Sequence, residues 1–144
     1  MANEQIHDSP VDWVAKHIQE YVETNGEVGH IWKRGAKTLL LTTKGRKTGK
    51  ETTTPLIYER AGDEYVVVAS KGGAPEHPGW YRNLSKDPGV EVQVKDEAFR
   101  ARARTAEGEE RERLWKLVNE QWPDYEAYQE KTEREIPVVV LERI

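Results

Sequence analysis

The chain has 144 residues, of which 33% are charged, and a formal net charge of −4. This length fits one domain with its own buried core, and the acidic balance argues against a general nucleic-acid-binding protein. Because the chain has no cysteine, disulfides, a thiol nucleophile and thiolate metal sites are excluded, which suits a reducing compartment.

The N-terminal region predicts a short polar tail and one helix. Residues 1–8 are polar and are expected to be disordered, and Ser9 followed by Pro10 is typical of a helix N-cap and first helical position. Gly26 belongs to a stop signal, so the helix is predicted at residues 10–25. This region lacks the long apolar run that a signal peptide or membrane span requires, and we expect a cytoplasmic protein.

One face of this helix carries apolar residues that recur at helical spacing: Val11, Val14, Ile18 and Val22. The stripe is expected to cover a sheet, because the helix lacks the basic face typical of a helix that lies on lipid. Trp13 and Tyr21 lie beside the stripe. They leave two further alternatives open, that the helix covers a ligand pocket or that it gives the protein a peripheral membrane contact.

From Thr38 onward the apolar pattern is that of short strands. Because the connections are too short for parallel crossovers, antiparallel hairpins are expected. The sequence therefore predicts a mainly β, single-domain protein over residues 1–144, with a sheet or barrel in residues 38–144 and peripheral helices. Six runs of β-branched and apolar residues supply the strands, at residues 38–43, 52–58, 64–70, 90–94, 98–105 and 136–144.

Three insertions between the strands hold most of the aromatic residues. Residues 70–88 predict a short helical patch, a second helix is expected at about residues 109–121, and residues 122–131 predict a further helical turn. Tyr125 and Tyr128 share a face of that turn, because residues three apart are neighbours on a helix.

One loop concentrates cations in an otherwise acidic chain: the segment KGRKTGK at residues 44–50. Gly45 and Gly49 allow the backbone to curl, and Arg46 and Lys47 offer a fork and a point charge, which suit phosphate or carboxylate. A solvated hairpin turn is the alternative, and spacing alone does not decide between the two. A P-loop is excluded because no hydroxyl residue follows the last lysine.

A second loop, Ser70-Lys71-Gly72-Gly73, directly follows the third strand. It places a hydroxyl, an ammonium group and unshielded backbone N–H groups at a strand end, which accepts anions or carbonyl oxygens. A plain Gly-Gly turn is the alternative. If both loops lie on the same rim, their cations line one groove for an extended anionic ligand. The four histidines show no metal-ligand spacing, and no metal is expected.

Three stretches together resemble the deazaflavin-dependent nitroreductase family of actinobacteria: TTKGRKTGKETTTPLIY, VVVASKGGAPEHPGWYRNL and WPDYEAYQEKTEREIPVVVL. The match runs in order from about Leu39 to Leu141. The resemblance implies a split β-barrel of antiparallel strands, the fold also used by FMN-binding pyridoxamine-phosphate oxidases. It further implies an oxidoreductase that transfers a hydride from reduced coenzyme F420 to a quinone, an enone or a nitroaromatic.

The resemblance also assigns a cofactor site. F420 joins a flat deazaflavin to a phosphodiester and a tail of glutamates, so it needs cations along a groove. The residues implied for the phosphate and tail are Arg46, Lys47, Thr48 and Lys71. Those implied beside the ring are Pro55, Leu56, Ile57, Tyr58, Val68, Ala69 and Gly72. The remaining wall is implied to consist of Trp80, Tyr81 and Asn83.

For the acceptor, the resemblance implies a pocket with three catalytic residues, Ser70, Tyr125 and Tyr128. Trp122 and Ile57 stand where close relatives often have tyrosine, so the pocket is expected to be more apolar. Ser70 and a tyrosine hydroxyl would hydrogen-bond the acceptor oxygen as negative charge develops there. Tyr125 and solvent are both candidates for the proton source.

Two other classes stay open beside the reductase. An FMN-dependent oxidoreductase of the same fold would need a phosphate site but no groove for a long anionic tail. A non-catalytic carrier of F420 would use the same groove without turnover. The expected partners are a small-molecule acceptor and no nucleic acid, and the chain is compatible with a monomer or a homodimer.

Overall fold

The computed structural model describes residues 12–31 and 36–144, the first four by backbone alone. The expected disorder of residues 1–8 and the cap at Ser9 lie outside the described residues. Helix α1 spans Asp12–Glu23. After it the chain reverses through Asn25 and Gly26, with φ of 54° and 83°, so the predicted stop is confirmed.

Six antiparallel strands form a closed barrel in the order β1-β2-β3-β6-β5-β4. The predicted mainly β split-barrel fold is therefore confirmed. The pairs β1–β2, β2–β3 and β4–β5 are hairpins, as the short connections predict, whereas β3 and β4 do not pair. Instead, β6 lies between β3 and β5, and β4 closes the barrel against β1. The strands are β1 Thr38–Lys44, β2 Glu51–Ala61, β3 Glu64–Val68, β4 Gly89–Val94, β5 Glu97–Thr105 and β6 Val138–Arg143.

Three further helices lie where the insertions were predicted: α2 Gly79–Lys86, α3 Gly108–Gln121 and α4 Asp124–Glu130. Pro123 comes directly before α4, where its missing N–H breaks no helical hydrogen bond. Within the part of the chain that the structure describes, no helix has the length and apolar content needed to cross a bilayer.

Two apolar layers share the central strands. Alternate residues of β3 and β6 point to opposite faces, so Tyr65 and Val67 enter the barrel interior while Val66 and Val68 pack outward. Helix α2 closes one part of the interior, and α3 and α4 cover the outer face. Burial on both faces explains why these strands are continuous apolar runs.

The strand register leaves half of β2 with one free edge. Residues 51–57 pair with β1, but pairing of β2 with β3 begins only at Tyr58. Among the described strands, none pairs with the other edge of this half. Tyr58 N donates to Lys37 O on the β1 side, so by alternation the nitrogen of Pro55 points to the free edge. A proline is tolerated there because its missing N–H breaks no ladder bond.

Helix α1 packs on the outer face of β1 through Ile18 and Tyr21, which contact Leu40. Tyr21 is fully buried, and its hydroxyl donates to Thr38 O at 3.0 Å and accepts from Lys95 N at 2.7 Å. This bridge turns Tyr21 toward the barrel, so its side chain is unavailable to a membrane.

The expected apolar stripe is wrong at one position, because Val22 is 47% exposed. The buried face of α1 is set by Tyr21, whose hydroxyl satisfies two backbone groups, and Val22 points away from that face. The other stripe positions, Val11 and Val14, and the side chain of Trp13 lie outside the described residues.

We expect Tyr21→Phe to lower the free energy of unfolding by about 1–3 kcal/mol, because the buried C=O of Thr38 and the partly buried N–H of Lys95 lose the Tyr21 hydroxyl as a partner. Denaturant titration measures the change. The matched control is Tyr81→Phe, whose hydroxyl contacts Thr105 Oγ1 at the surface and whose loss should be much smaller. Equal losses in the two variants would contradict the bridge.

Candidate functional site

A cavity of about 570 Å³ lies against the outer face of β2, beside its free edge. Helix α4 forms one wall, the end of β3 and the turn after it form another, and α1 reaches in from the opposite side. The cavity brings together residues predicted from three separate sequence segments. It is lined by His17, Thr38, Pro55, Leu56, Ile57, Val68, Ser70, Lys71, Gly72, Trp122, Tyr125 and Tyr128.

The turn after β3 has an unusual backbone. Lys71, Gly72 and Gly73 all have positive φ, of 48°, 64° and 85°. Only glycine adopts this region without strain, so Lys71 is held there by its surroundings. A Cβ on Gly72 would meet nothing within 4 Å, which leaves its backbone open to a ligand on the cavity side.

Gly73 faces the other way, into helix α4. A Cβ at Gly73 would lie 2.7 Å from Tyr128 O, so the turn and the helix are in direct backbone contact. Ser70 makes no capping hydrogen bond through its side chain, and its hydroxyl remains available to a ligand. The SKGG loop is therefore a built part of the cavity wall, as the sequence predicts.

The basic loop and the SKGG loop follow strands β1 and β3, which run in the same direction because both pair antiparallel with β2. Both loops thus lie at the same end of the barrel. A shared groove was expected only if the two loops lay on the same rim. Beside the basic loop lies a recess of about 340 Å³, lined by Arg46, Thr52, Thr53, Thr54, Gly79, Trp80 and Asn83.

The recess and the cavity follow one strand. Thr54 lines the recess and the next residue, Pro55, lines the cavity. The two spaces are therefore neighbours along the free half of β2, and we call them together the β2 groove. The apolar cavity forms one end of it, and Arg46 of the β1–β2 loop lines the other.

Helix α2 holds the basic loop in place. The Asn83 amide oxygen accepts from Arg46 N at 3.2 Å and from Arg46 Nη1 at 2.9 Å, while Asn83 Nδ2 donates to Thr43 Oγ1 at 3.1 Å. Lys86 Nζ donates to Arg46 O at 2.9 Å. The structure thus places Asn83 as the anchor of the loop, a role that the sequence did not predict.

The two tyrosines of α4 stack edge to face, with ring centroids 6.2 Å apart. Burial raises the pKa of the Tyr125 phenol well above its ordinary range, and the neighbouring Tyr128 adds to the shift. Tyr125 therefore stays protonated and is a poor acid, while it can still donate a hydrogen bond. Tyr128 is the more accessible of the two.

Two cavity residues, His17 and Thr38, were not predicted. His17 Nε2 donates to Gly29 O at 2.7 Å, and Thr38 Oγ1 donates to the same carbonyl at 2.5 Å. Gly29 has φ of 108° and lies too close to His17 for a side chain. No periodicity identifies such a contact, because it depends on how α1 crosses the barrel.

Some predicted residues lie outside both the cavity and the recess. Tyr58 enters the barrel core, where its hydroxyl lies 2.8 Å from His30 Nε2, and burial raises its pKa to about 12. Ala69 is fully buried, and Tyr81 packs against the core. Lys47 and Thr48 are exposed at the tip of the basic loop.

Arg134 is a third residue that the sequence did not predict for this site. Its guanidinium donates to the Ser70 carbonyl of the SKGG loop, to the carbonyls of Ala69 and Ala74 on either side of that loop, and to His77. Because His77 accepts through Nδ1, it serves as a loop residue and not as a base facing the cavity. Three or more His, Asp or Glu side chains placed to hold a metal ion do not occur within residues 12–31 and 36–144.

Comparison with known proteins identifies the family of this chain. Residues 13–143 match the model of the F420H(2)-dependent quinone reductase family. The chain belongs to this family. Coenzyme F420 is the cofactor of the family, so the predicted cofactor is confirmed. An F420H(2)-dependent quinone reductase of Mycobacterium tuberculosis is 45% identical over 130 residues, with 88% of this chain and 87% of the relative covered.

Two solved structures are similar to this chain. An F420-H2 dependent reductase, FDR-A, is 47% identical with a TM-score of 0.68, covering 73% of this chain and 93% of that chain. A domain-swapped dimer is 43% identical with a TM-score of 0.71, covering 92% of this chain and 99% of that chain.

The β2 groove fits the cofactor on this structure's own features. The cavity is mainly apolar and is bordered by a free strand edge and an open Gly72 backbone, which suit a flat polar-edged ring. Arg46 lines the recess and Lys47 lies beyond it at the exposed tip of the basic loop, and cations in these positions suit the anionic phosphate and tail.

Proposed function

We propose that this chain is an F420H2-dependent reductase that transfers a hydride to an electrophilic acceptor, a quinone, an enone or a nitroaromatic. The observation that supports it is the β2 groove, in which an apolar cavity with three hydrogen-bonding side chains adjoins a cationic recess. A membership in the quinone reductase family makes a quinone the first acceptor to test.

On the cofactor side, the predicted residues that border the β2 groove are assigned to the ring or to the tail. Pro55, Leu56, Ile57 and Val68 form an apolar surface for one face of the ring, and Gly72 offers its backbone at the edge. Arg46 and Lys71 border the groove, and Lys47 and Thr48 extend the polar surface at its mouth. When bound, reduced F420 supplies the hydride.

On the acceptor side, we assign Ser70 and Tyr128, which both line the cavity, as hydrogen-bond donors to the acceptor oxygen while negative charge develops on it. Trp122 and Ile57 exclude water from this side of the cavity, and the Trp122 ring offers a flat apolar surface to an aromatic acceptor. Because the raised pKa of Tyr125 makes it a weak acid, we assign the final proton to solvent and give Tyr125 a hydrogen-bonding role.

The oligomeric state enters the proposal through one relative. The 43% identical domain-swapped dimer supports a homodimer for this chain over the monomer that the sequence also allows. The cavity described above is built from one chain, so the proposed activity does not depend on the dimer.

We expect the purified protein to bind F420 in preference to FMN, because FMN has no anionic tail to occupy the recess. Fluorescence titration with each cofactor measures this. Stopped-flow oxidation of reduced F420 with menadione, cyclohexenone and a nitroimidazole is expected to be acceptor-dependent and fastest with the quinone. Tight F420 binding without turnover over this panel would show a carrier, and FMN binding would reject the cofactor assignment.

The cations of the basic loop are expected to hold the cofactor tail. Arg46→Ala with Lys47→Ala should weaken F420 binding by about tenfold, since charge-assisted hydrogen bonds contribute about 1.5–3 kcal/mol each before solvent screening. The loss should be smaller for F420 stripped of its glutamates. The control is Arg113→Ala with Lys116→Ala, the same charge change on exposed positions of α3. Equal weakening for both cofactor forms would place the cations on the phosphate alone.

The hydroxyl of Tyr128 is expected to act on the acceptor and not on the cofactor. Tyr128→Phe should lower kcat/KM for menadione by about tenfold to a hundredfold, as removal of a donor to a developing oxyanion does. F420 affinity should be unchanged. Tyr65→Phe, which removes a hydroxyl that contacts Arg60 away from the cavity, is the control. Loss of F420 binding in Tyr128→Phe would move that hydroxyl to the cofactor.

A further inference from the structure

Arg134 organises the turn that lines the cavity. Its Nε donates to Ala74 O at 2.8 Å, its Nη2 to Ser70 O at 2.8 Å, and its Nη1 to Ala69 O at 3.2 Å. Nη1 also contacts His77 Nδ1 at 3.0 Å. All three guanidinium nitrogens therefore bind one loop, which a lysine with its single ammonium group could not reproduce.

The same residue is tied to helix α4, which carries the two tyrosines. Arg134 O accepts from Gln129 Nε2 at 2.8 Å, and Gln129 Oε1 accepts from Ile136 N at 2.9 Å. On the far side of the turn, Gly73 abuts Tyr128 O. The turn is thus held between Arg134 below and α4 beside it.

The positive charge of Arg134 is not neutralised by a carboxylate within the described part of the chain, because all four of its partners are uncharged carbonyls or an imidazole nitrogen. Burial lowers the pKa of this guanidinium, which shows that the charge is partly removed from water. An uncompensated cation under Ser70 favours negative charge in the cavity above it.

The turn needs such support. Lys71 is a non-glycine residue with φ of 48°, a conformation that costs about 1–2 kcal/mol. The carbonyls of Ser70 and Ala74 flank this residue, and both are fixed by Arg134. The four hydrogen bonds therefore hold the strained conformation that opens Gly72 toward the cavity.

We propose that Arg134 is a positioning residue that holds the cofactor side and the acceptor side of the cavity in one rigid arrangement. It fixes the SKGG turn, which faces the ring, relative to α4, which faces the acceptor. The proposal rests on the proposed reductase function for its kinetic consequence, but its structural consequence exists without cofactor.

The first test uses the protein without cofactor. Hydrogen–deuterium exchange is measured for peptides covering residues 69–77 and 124–130 in wild type, Arg134→Lys and Arg134→Ala. Both peptides are expected to exchange faster together in the two variants. The control is Arg111→Ala, which also removes a guanidinium bond to a backbone carbonyl of this region, Ile136 O at 2.8 Å, on the side of α3. Its two peptides are expected to keep wild-type exchange.

The second test is kinetic. For Arg134→Lys, we expect kcat for menadione reduction to fall by about a hundredfold, because misplacement of about 1 Å can have that effect. Added guanidinium, far below unfolding concentrations, should restore activity to Arg134→Ala and should leave the activity of the control Arg111→Ala unchanged. A merely stabilising arginine would lose activity only in proportion to the unfolded fraction and would not be rescued.

Failure of the positioning role and failure of the proposed function give different results. Unchanged exchange in both peptides, or wild-type kcat in a folded Arg134→Lys, overturns the positioning role. If Arg134→Ala does not fold, exchange and kcat of Arg134→Lys decide alone. If wild type fails to oxidise reduced F420, the proposed function fails, while coupled exchange of the two peptides would still support the Arg134 tether.

Discussion

The site depends on one mismatch of strand length. β2 has eleven residues and its neighbour β3 has five, so the barrel cannot pair the first half of β2 on both sides. An unpaired strand edge normally invites aggregation, and proteins cover it or interrupt it. Here Pro55 interrupts it, the SKGG turn curls beside it, and α4 overhangs it. The result is a groove whose wall consists of backbone and apolar side chains. It exists because β2 extends beyond the end of β3.

The arginines near the groove have different partners from an arginine elsewhere on the barrel. The arginines at the groove are held by neutral partners, Arg46 by the Asn83 amide and Arg134 by carbonyls, so their positive fields are retained. Arg104, on the outer surface of β5, is instead surrounded by Glu110, Glu142 and Glu64. The negative charges of those carboxylates offset the positive charge of Arg104. In turn, the hydrogen bonds from Arg104 lower the pKa of Glu110 and Glu142. A net-acidic chain can thereby present one basic groove.

The sequence could predict the features that depend on neighbouring residues, and it could not predict those that depend on contacts between residues far apart in the chain. The strands, the helices of the insertions and the stop at Gly26 are local patterns, and they were predicted correctly. The residues of the cavity came from motifs in three segments, and the hairpin topology alone implies that the loops after β1 and β3 share a rim. Whether those residues bind cofactor and acceptor as assigned remains a prediction.

The features that the sequence did not predict depend on contacts between residues far apart in the chain. Arg134 lies in the segment EREIP, whose charges indicate only an exposed loop, and its partners are backbone carbonyls about sixty residues earlier in the chain. His17 reaches the cavity only because Gly29 has no side chain. The burial of Tyr21 and exposure of Val22 differ from the apolar stripe, since two satisfied hydrogen bonds outweigh the small apolar gain of turning valine inward.

Helix α1 also closes the weakest seam of the barrel. β1 and β4 pair only from Leu40 to Thr42, the shortest register among the six strand pairs. Tyr21 spans this seam with one hydroxyl, which bonds β1 at Thr38 and the β4–β5 turn at Lys95. The helix thus closes the barrel where the strand pairing is shortest. Because the same helix lines the cavity through His17, and its Tyr21 bonds the cavity residue Thr38, one element both closes the barrel and completes the cavity wall.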